Sequence, residues 1–272
     1  MKLKERYQVS GLTGHVQRVA FAERIVDFWA PGHPTSHLLI AHDGQNIFDH
    51  RSATHHRTWK MAQSAVNVSA ELGITPPVII AVFHSRTSEN PGGRVIDLAP
   101  QDPYQNGLQL PAGVESTVTT AELQGNRYLE QVTEEIAPAI TSALELNLAE
   151  LNKAIVGSSL GGLASLYAIG KRPDFFTTAL ALSTHWSAGE YPLVDALLDQ
   201  LPPPGAHKIW MSHGTRGIDA KYGPFQRYAD QKMAEAGWQL NRNYKSQVYK
   251  KSGHNERSWA RYLDQPMRFW LT

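Results

Sequence analysis

The run Lys153-Ala154-Ile155-Val156-Gly157-Ser158-Ser159-Leu160-Gly161 changes its period in the middle. Residues 153–156 read as a short buried strand, whereas Leu163, Leu166, Tyr167 and Ile169 recur at helical spacing. Ser159 sits at the join, flanked two residues away on each side by Gly157 and Gly161. A serine on a sharp strand-to-helix turn presents its hydroxyl for attack, and the backbone passes that close to itself only where the flanking positions lack side chains. Centring the pattern on Ser158 fails, because its flanking positions are Val156 and Leu160. With 21 glycines in the chain, about 0.1 GxSxG matches are expected by accident, and the strand-then-helix context lowers that figure further. Ser159 is therefore read as a nucleophile.

Outward from this turn the chain alternates strand and helix. Residues 19–22 and 25–30 suggest a strand pair ending at Pro31-Gly32, and residues 36–41 (SHLLIA) form a compact buried run. The helical spacing over 59–72 closes at Gly73 and leads to a strand over 78–83. A long helix is expected over 125–146, with Pro138 as a possible kink. Beyond the Ser159 helix come a strand near 178–182, a helix near 191–201, a strand over 208–212, a helix over 224–236, a strand over 244–249 and a terminal helix over 255–269. This alternation predicts an α/β fold with a mainly parallel central sheet and helices on both faces, its ligand crevice beyond the carboxyl ends of the strands. A single domain over 1–272 is expected, since no linker, charge run or repeat divides the chain. Residues 84–124 break the rhythm, with Asn90-Pro91-Gly92-Gly93, Pro100, Pro103 and Pro111. A polar connection of that length after a strand is expected to be a lid or binding loop.

Composition narrows the chemistry. Lys and Arg total 26 against 25 Asp and Glu, so there is no bulk field for nucleic acid or an anionic membrane, and neither is expected as a partner. Zero cysteines exclude disulfides, thiol catalysis and thiolate metal sites. No apolar run has the length of a signal peptide core or a membrane span, which makes a cytoplasmic protein the expectation. Twelve histidines invite a metal reading, yet no HExxH occurs, and the adjacent His55 and His56 would diverge on any regular element. Neither a dinucleotide nor a phosphate loop motif is present. No cofactor and no metal are expected.

A serine nucleophile needs a base within hydrogen-bond reach and a carboxylate to orient it, in the chain order nucleophile, acid, histidine for this fold type. Of His185, His207, His213 and His254, the last lies in the turn between the final strand and the terminal helix and is the best base. His185 and His213 follow strands and could line a pocket; His207 begins a strand. Asp219, in the loop after the strand at 208–212, is the best acid, its plainer reading being a cap for the helix near Pro224. Asp174, Asp195, Asp199, Asp230 and Glu235 fall in or beside expected helices, where solvated roles are ordinary. The backbone N–H of Leu160 is one expected oxyanion donor. The turn His42-Asp43-Gly44-Gln45 offers the second, from Gln45 first and Gly44 next, although Asp-Gly is also a common turn pair.

The motifs HDGQNIFD at 42–49, VGSSLGGLASLYA at 156–168, STHW at 183–186, GTRGIDAKYGPFQ at 214–226 and SGHNERSW at 252–259 together resemble the esterase D-like branch of the α/β-hydrolases. That branch includes siderophore esterases, feruloyl esterases and mycolyltransferases. The resemblance implies Ser159, Asp219 and His254 as a triad, a second oxyanion donor after the HDG turn, and Trp186 beside the acyl or alcohol pocket. Asp43 and Arg94 join Trp186 as candidate pocket residues, Arg94 with Asp97 matching an arginine and acid common in the family's long loop. In some branches the acid stands sooner after the Gly-Thr pair. The expected function is a serine esterase acting on a small-molecule ester through an acyl-enzyme on Ser159. The alternatives are an acyltransferase with the same triad and a non-catalytic binding protein on a hydrolase scaffold. Trp59, Arg86 and Arg216 could favour aromatic or anionic esters.

Overall fold

Fully buried apolar runs form the strands at the centre of the molecule, and amphipathic segments form the helices between them. The computed structural model describes residues 1–21, 24–110 and 118–272. Ala22, at the end of one expected strand, and Pro111, in the long connection, lie outside the described residues. In the N-terminal half the elements are β1 (Lys2–Tyr7), β2 (Val16–Phe21), β3 (Arg24–Trp29), β4 (His37–Ala41), α1 (Met61–Leu72), β5 (Val78–Val82), α2 (Gly93–Leu98) and α3 (Gln101–Gln105). Then follow α4 (Gly125–Glu130), α5 (Ala137–Ala143), β6 (Asn152–Ser158), α6 (Leu160–Lys171), β7 (Thr178–Leu182) and α7 (Glu190–Leu198). The last elements are β8 (Lys208–Gly214), α8 (Gly223–Glu235), β9 (Tyr244–Tyr249), α9 (Glu256–Tyr262) and α10 (Asp264–Leu271). The fold is α/β, with a large, mostly parallel sheet and helices around it. Among the described residues no helix is long and apolar enough to cross a membrane.

The chain divides into two compact units. The first comprises Met1–His84, Glu130–Ala154 and Asn255–Thr272; the second comprises Ser85–Leu129 and Ile155–His254. In the first unit the strands run in the order β1-β2-β3-β5-β4. β1, β2, β3 and β5 pair antiparallel in succession, and β4 pairs parallel with β5 through Leu39↔Ile79 and Ile40↔Ile80. β1 was not evident in the sequence: its alternation KLKERY is charged and largely exposed, as suits an edge strand. It is tied down by the Tyr7 hydroxyl, which donates to the fully buried Asp27 of β3 at 2.6 Å. Arg18 of β2 grips the same carboxylate through two bonds of 2.8 and 2.7 Å. Burial raises the Asp27 pKa, and the Arg18 and Tyr7 hydrogen bonds work against that rise. Across this unit Ser64 and Glu71 of α1 bond to Asp264 and Arg268 of α10.

The expected helix over 125–146 is three pieces: α4, a π-helical turn over Gln131–Ile136, and α5. Pro138 stands in the first turn of α5 and has no N–H to give to the carbonyl four residues back, so the ladder slips to wider spacing just before it. The expected terminal helix likewise breaks into α9 and α10 around Leu263. Pro266, early in α10, cannot donate to Tyr262 and ends the first helix.

In the second unit the strands run β6-β7-β8-β9, β6 having begun in the first. β7 and β8 pair parallel through Leu180↔Trp210, and β8 and β9 through Met211↔Ser246. The run TALAL of β7 is wholly buried, the signature of a strand covered on both faces. On the helical side, Asp195 of α7 receives Lys232 and Tyr228 of α8 at 2.7 and 2.8 Å. The connection expected as an irregular loop over 84–124 contains α2 and α3, each too short to leave a period in the sequence.

Candidate active site

Ser159 is the residue at which β6 becomes α6. Its backbone lies at φ 57°, ψ −120°, a sparsely populated region that costs about 1–3 kcal/mol unless the surroundings impose it. They do so through its own peptide groups: Ser159 N–H donates to Leu182 O at 2.9 Å, and its carbonyl accepts from Gly162 at 3.0 Å and His185 at 3.2 Å. Gly157 is required sterically. A Cβ on Gly157 would lie 2.4 Å from the carbonyl oxygen of Gly161, so the two residues can approach only while position 157 has no side chain. Leu160 opens α6, where the first N–H groups have no intrahelical acceptor.

Two loops of the same unit supply the partners expected of such a serine. Asp219 lies in the short 3-10 turn Gly217–Lys221 after β8 and is 0% exposed. Its Oδ1 is 2.6 Å from His254 Nδ1, in the turn after β9. Its Oδ2 accepts from the Ser183 hydroxyl at 2.8 Å and from the Gly214 N–H at 2.7 Å. Burial alone would raise the Asp219 pKa; the hydrogen bond and charge of His254, with the Gly214 and Ser183 donors, outweigh it and hold the carboxyl below its ordinary range. Asp219 therefore stays anionic at neutral pH, and it accepts the Nδ1 proton of His254, which leaves Nε2 with a lone pair. Its side chain does not cap α8, whose N-cap is Tyr222. Among the described contacts the Ser159 hydroxyl has no hydrogen bond to His254; bonds of this kind commonly tighten only with substrate present.

Other expected residues take distinct positions around this pair. His185 Nδ1 is 2.6 Å from the Tyr222 hydroxyl, and the Tyr222 ring stands edge-on to the rings of both His185 and His254. Burial, with the charges of His254 and Arg94, lowers the His185 pKa to about 4, so it is neutral at pH 7. Arg94, on α2, reaches to 3.5 Å from the Ser158 carbonyl, next to the elbow. Asp97 is buried and accepts the Ser85 N–H at 2.6 Å, which fixes the start of the long connection. Trp186 is fully buried, its indole N–H donating to Gln226 at 3.2 Å. His213 is turned back onto the Gly214 carbonyl at 2.6 Å, and His207 onto the Pro173 carbonyl at 2.9 Å. Ser183 as a partner of the acid and Tyr222 as a partner of His185 are revealed only by tertiary contact.

Asp43 and Gln45 belong to the first unit. Asp43 is buried in the left-handed conformation at φ 53°, and its carbonyl accepts the Asn46 N–H at 2.9 Å, which closes the turn. Gly44 is required there, since a Cβ would lie 2.4 Å from the backbone carbon of Ala81. The Gln45 side-chain amide meets His84 Nε2 at 2.7 Å, and His84 is also 3.9 Å from Asp43 Oδ1. Among the described residues no three His, Asp or Glu side chains converge as a metal-ligand set.

Residues 26–269 match the model of the family described as putative esterase. The chain belongs to that family. Membership makes ester hydrolysis its general class of activity. No curated protein matches this esterase-family chain by sequence. Among solved structures it is similar to an IroE-like serine hydrolase from Shewanella oneidensis, at 18% identity and TM-score 0.65 over 98% of this chain and 79% of that one. It is similar to the enterobactin esterase FES from Shigella flexneri, at 15% identity and TM-score 0.62, covering all of this chain and 60% of that one. An S-formylglutathione hydrolase from Agrobacterium tumefaciens gives 12% identity and TM-score 0.62 over 99% of this chain and 98% of that one. At such identities these likenesses speak for the fold, which is that of the α/β-hydrolase esterases.

Proposed function

We infer that the protein is a serine esterase that cleaves a small-molecule carboxylic ester through an acyl-enzyme on Ser159. The observation that carries this reading is the 2.6 Å contact between His254 Nδ1 and the buried Asp219, in the unit that also holds the strained Ser159 elbow. His254 Nε2 takes the Ser159 proton as Oγ adds to the ester carbonyl, and the tetrahedral oxyanion is held by the Leu160 N–H at the start of α6. The imidazolium then gives that proton to the departing alcohol as the C–O bond breaks, leaving the acyl group on Oγ. Water, deprotonated by the same ring, attacks the acyl-enzyme, and the proton returns to Oγ as the acid leaves. Asp219 stays ionised throughout and stabilises the imidazolium. Arg94 and Trp186 are assigned to substrate placement, and the protein to the cytoplasm.

Hydrolysis of p-nitrophenyl esters by wild type and Ser159→Ala tests the reading. The substitution is expected to lower kcat by at least about 10³-fold with the fold intact; retained turnover overturns the assignment. Added acceptor alcohols separate hydrolysis from transfer: p-nitrophenol release that climbs with acceptor, together with a new ester product, would make the protein an acyltransferase.

A further inference from the structure

Away from the elbow, within the first unit, a cavity of about 430 Å³ is lined by Arg57, Lys60, Arg257 and Arg261 with His50 and His56. No Asp or Glu lines it. All four cations are exposed, and among the described residues none makes a side-chain hydrogen bond or ion pair. Arg18, Arg51, Lys171, Lys232 and Arg268, by contrast, each meet a carboxylate.

The local electrostatics are unfavourable as they stand. Arg257 and Arg261 are four residues apart on α9, where like charges repel across one turn. Lys60 is the N-cap residue of the twelve-residue helix α1, the end at which the helix dipole disfavours a cation. The first turn of α1 carries no acidic residue, and Lys60 makes no side-chain cap. His56 and Lys60 are held at φ 54°, so the segment that brings the cations together is itself conformationally constrained. An anion in the cavity would reverse each of these terms: it would screen the repulsion, receive guanidinium hydrogen bonds, and sit where the dipole favours negative charge.

We propose that this cavity is a binding site for a small polyanion, a molecule carrying two or more carboxylate or phosphate groups. The volume is that of a small-molecule pocket. The net charge of the whole chain is only +1, so the positive field is local, which suits a compact ligand and not a long nucleic acid. The site stands whether or not Ser159 is a nucleophile.

Calorimetric titration of the full chain with citrate and with inorganic pyrophosphate, each at low salt and at 0.15 M NaCl, tests the proposal and tells the carboxylate and phosphate sources apart. Saturable one-site binding of at least one probe is expected, weakened at least tenfold by Arg57→Ala/Arg261→Ala and by Arg257→Glu. Arg242→Ala, in the second unit and bonded to Gln239, should bind as wild type. Because the four pocket side chains are exposed and unbonded and their charges repel, the variants should melt no lower than wild type in the absence of ligand. No binding of either probe, or binding untouched by both pocket variants, overturns the site. Competition by an oligonucleotide that binds more tightly than either probe would also overturn it.

Discussion

Asp219→Asn exchanges one oxygen for a nitrogen at the most heavily bonded carboxylate of the candidate site. Two donors, Ser183 Oγ and Gly214 N, converge on Oδ2 at 2.8 and 2.7 Å. The amide oxygen of Asn must occupy that position, because an NH2 there would face two donors. The amide nitrogen is then left against His254 Nδ1, 2.6 Å from the replaced oxygen, and it donates where the carboxylate accepted. His254 is thereby held with its proton on Nε2, which can no longer remove a proton from Ser159. Loss of the correct tautomer in a Ser-His-Asp array costs about 10⁴ in kcat, or about 5.5 kcal/mol of transition-state stabilisation. The structural cost is smaller. Two hydrogen bonds to a charged acceptor become bonds to a neutral one, about 2 kcal/mol in all. Steady-state hydrolysis of p-nitrophenyl acetate, with a melting curve on the same sample, separates the two effects. A folded Asp219→Asn protein whose kcat stays within tenfold of wild type would refute the tautomer argument.

Four further outcomes follow from particular contacts. Gly157→Ala puts a methyl group 2.4 Å from the Gly161 carbonyl oxygen, and should cost about 1–3 kcal/mol of stability together with most of the activity; a melting curve and ester assay at wild-type levels would contradict the elbow geometry. Asp27→Ala leaves Arg18 and Tyr7 facing a lost buried carboxylate and should lower stability by about 3–5 kcal/mol, read by urea unfolding. Ser183→Ala removes one of the two Oδ2 donors of Asp219 and should lower kcat while KM is nearly unchanged, measured across an ester titration. His185 has a folded pKa near 4 against an ordinary 6.5, so the unfolded chain binds the extra proton first. Stability is therefore full above about pH 6.5 and falls as pH drops toward 4, and His185→Gln should flatten that part of the Tm–pH curve.

The sequence carries the central elements because they announce themselves locally. HLLIA, VIIAV and TALAL are apolar apart from the leading His37 and Thr178, and each is a strand buried over at least four of its five residues; the spacing after Ser159 is helical, and α6 begins at Leu160. What escaped was set by longer-range contacts. β1 is a strand because β2 and the buried Asp27 hold it, and nothing within KLKERY says so. The π-helical turn before Pro138 and the break at Leu263 record backbone bonds that a proline cannot make, whereas the side-chain period runs on through both. At the site, His254 and Asp219 were legible from their places in loops after strands, and the structure joins them. The Ser183 donor that helps fix Asp219 lies 36 residues away, and Tyr222 reaches His185 across 37. No short-range pattern encodes such contacts.

Fluorophosphonate labelling followed by peptide mapping tests the central claim most directly, since the reagent requires a serine activated as a nucleophile. The account predicts a single adduct on Ser159, formed at a rate that collapses in His254→Ala. No adduct at Ser159, or an adduct that forms as fast without His254, would contradict it.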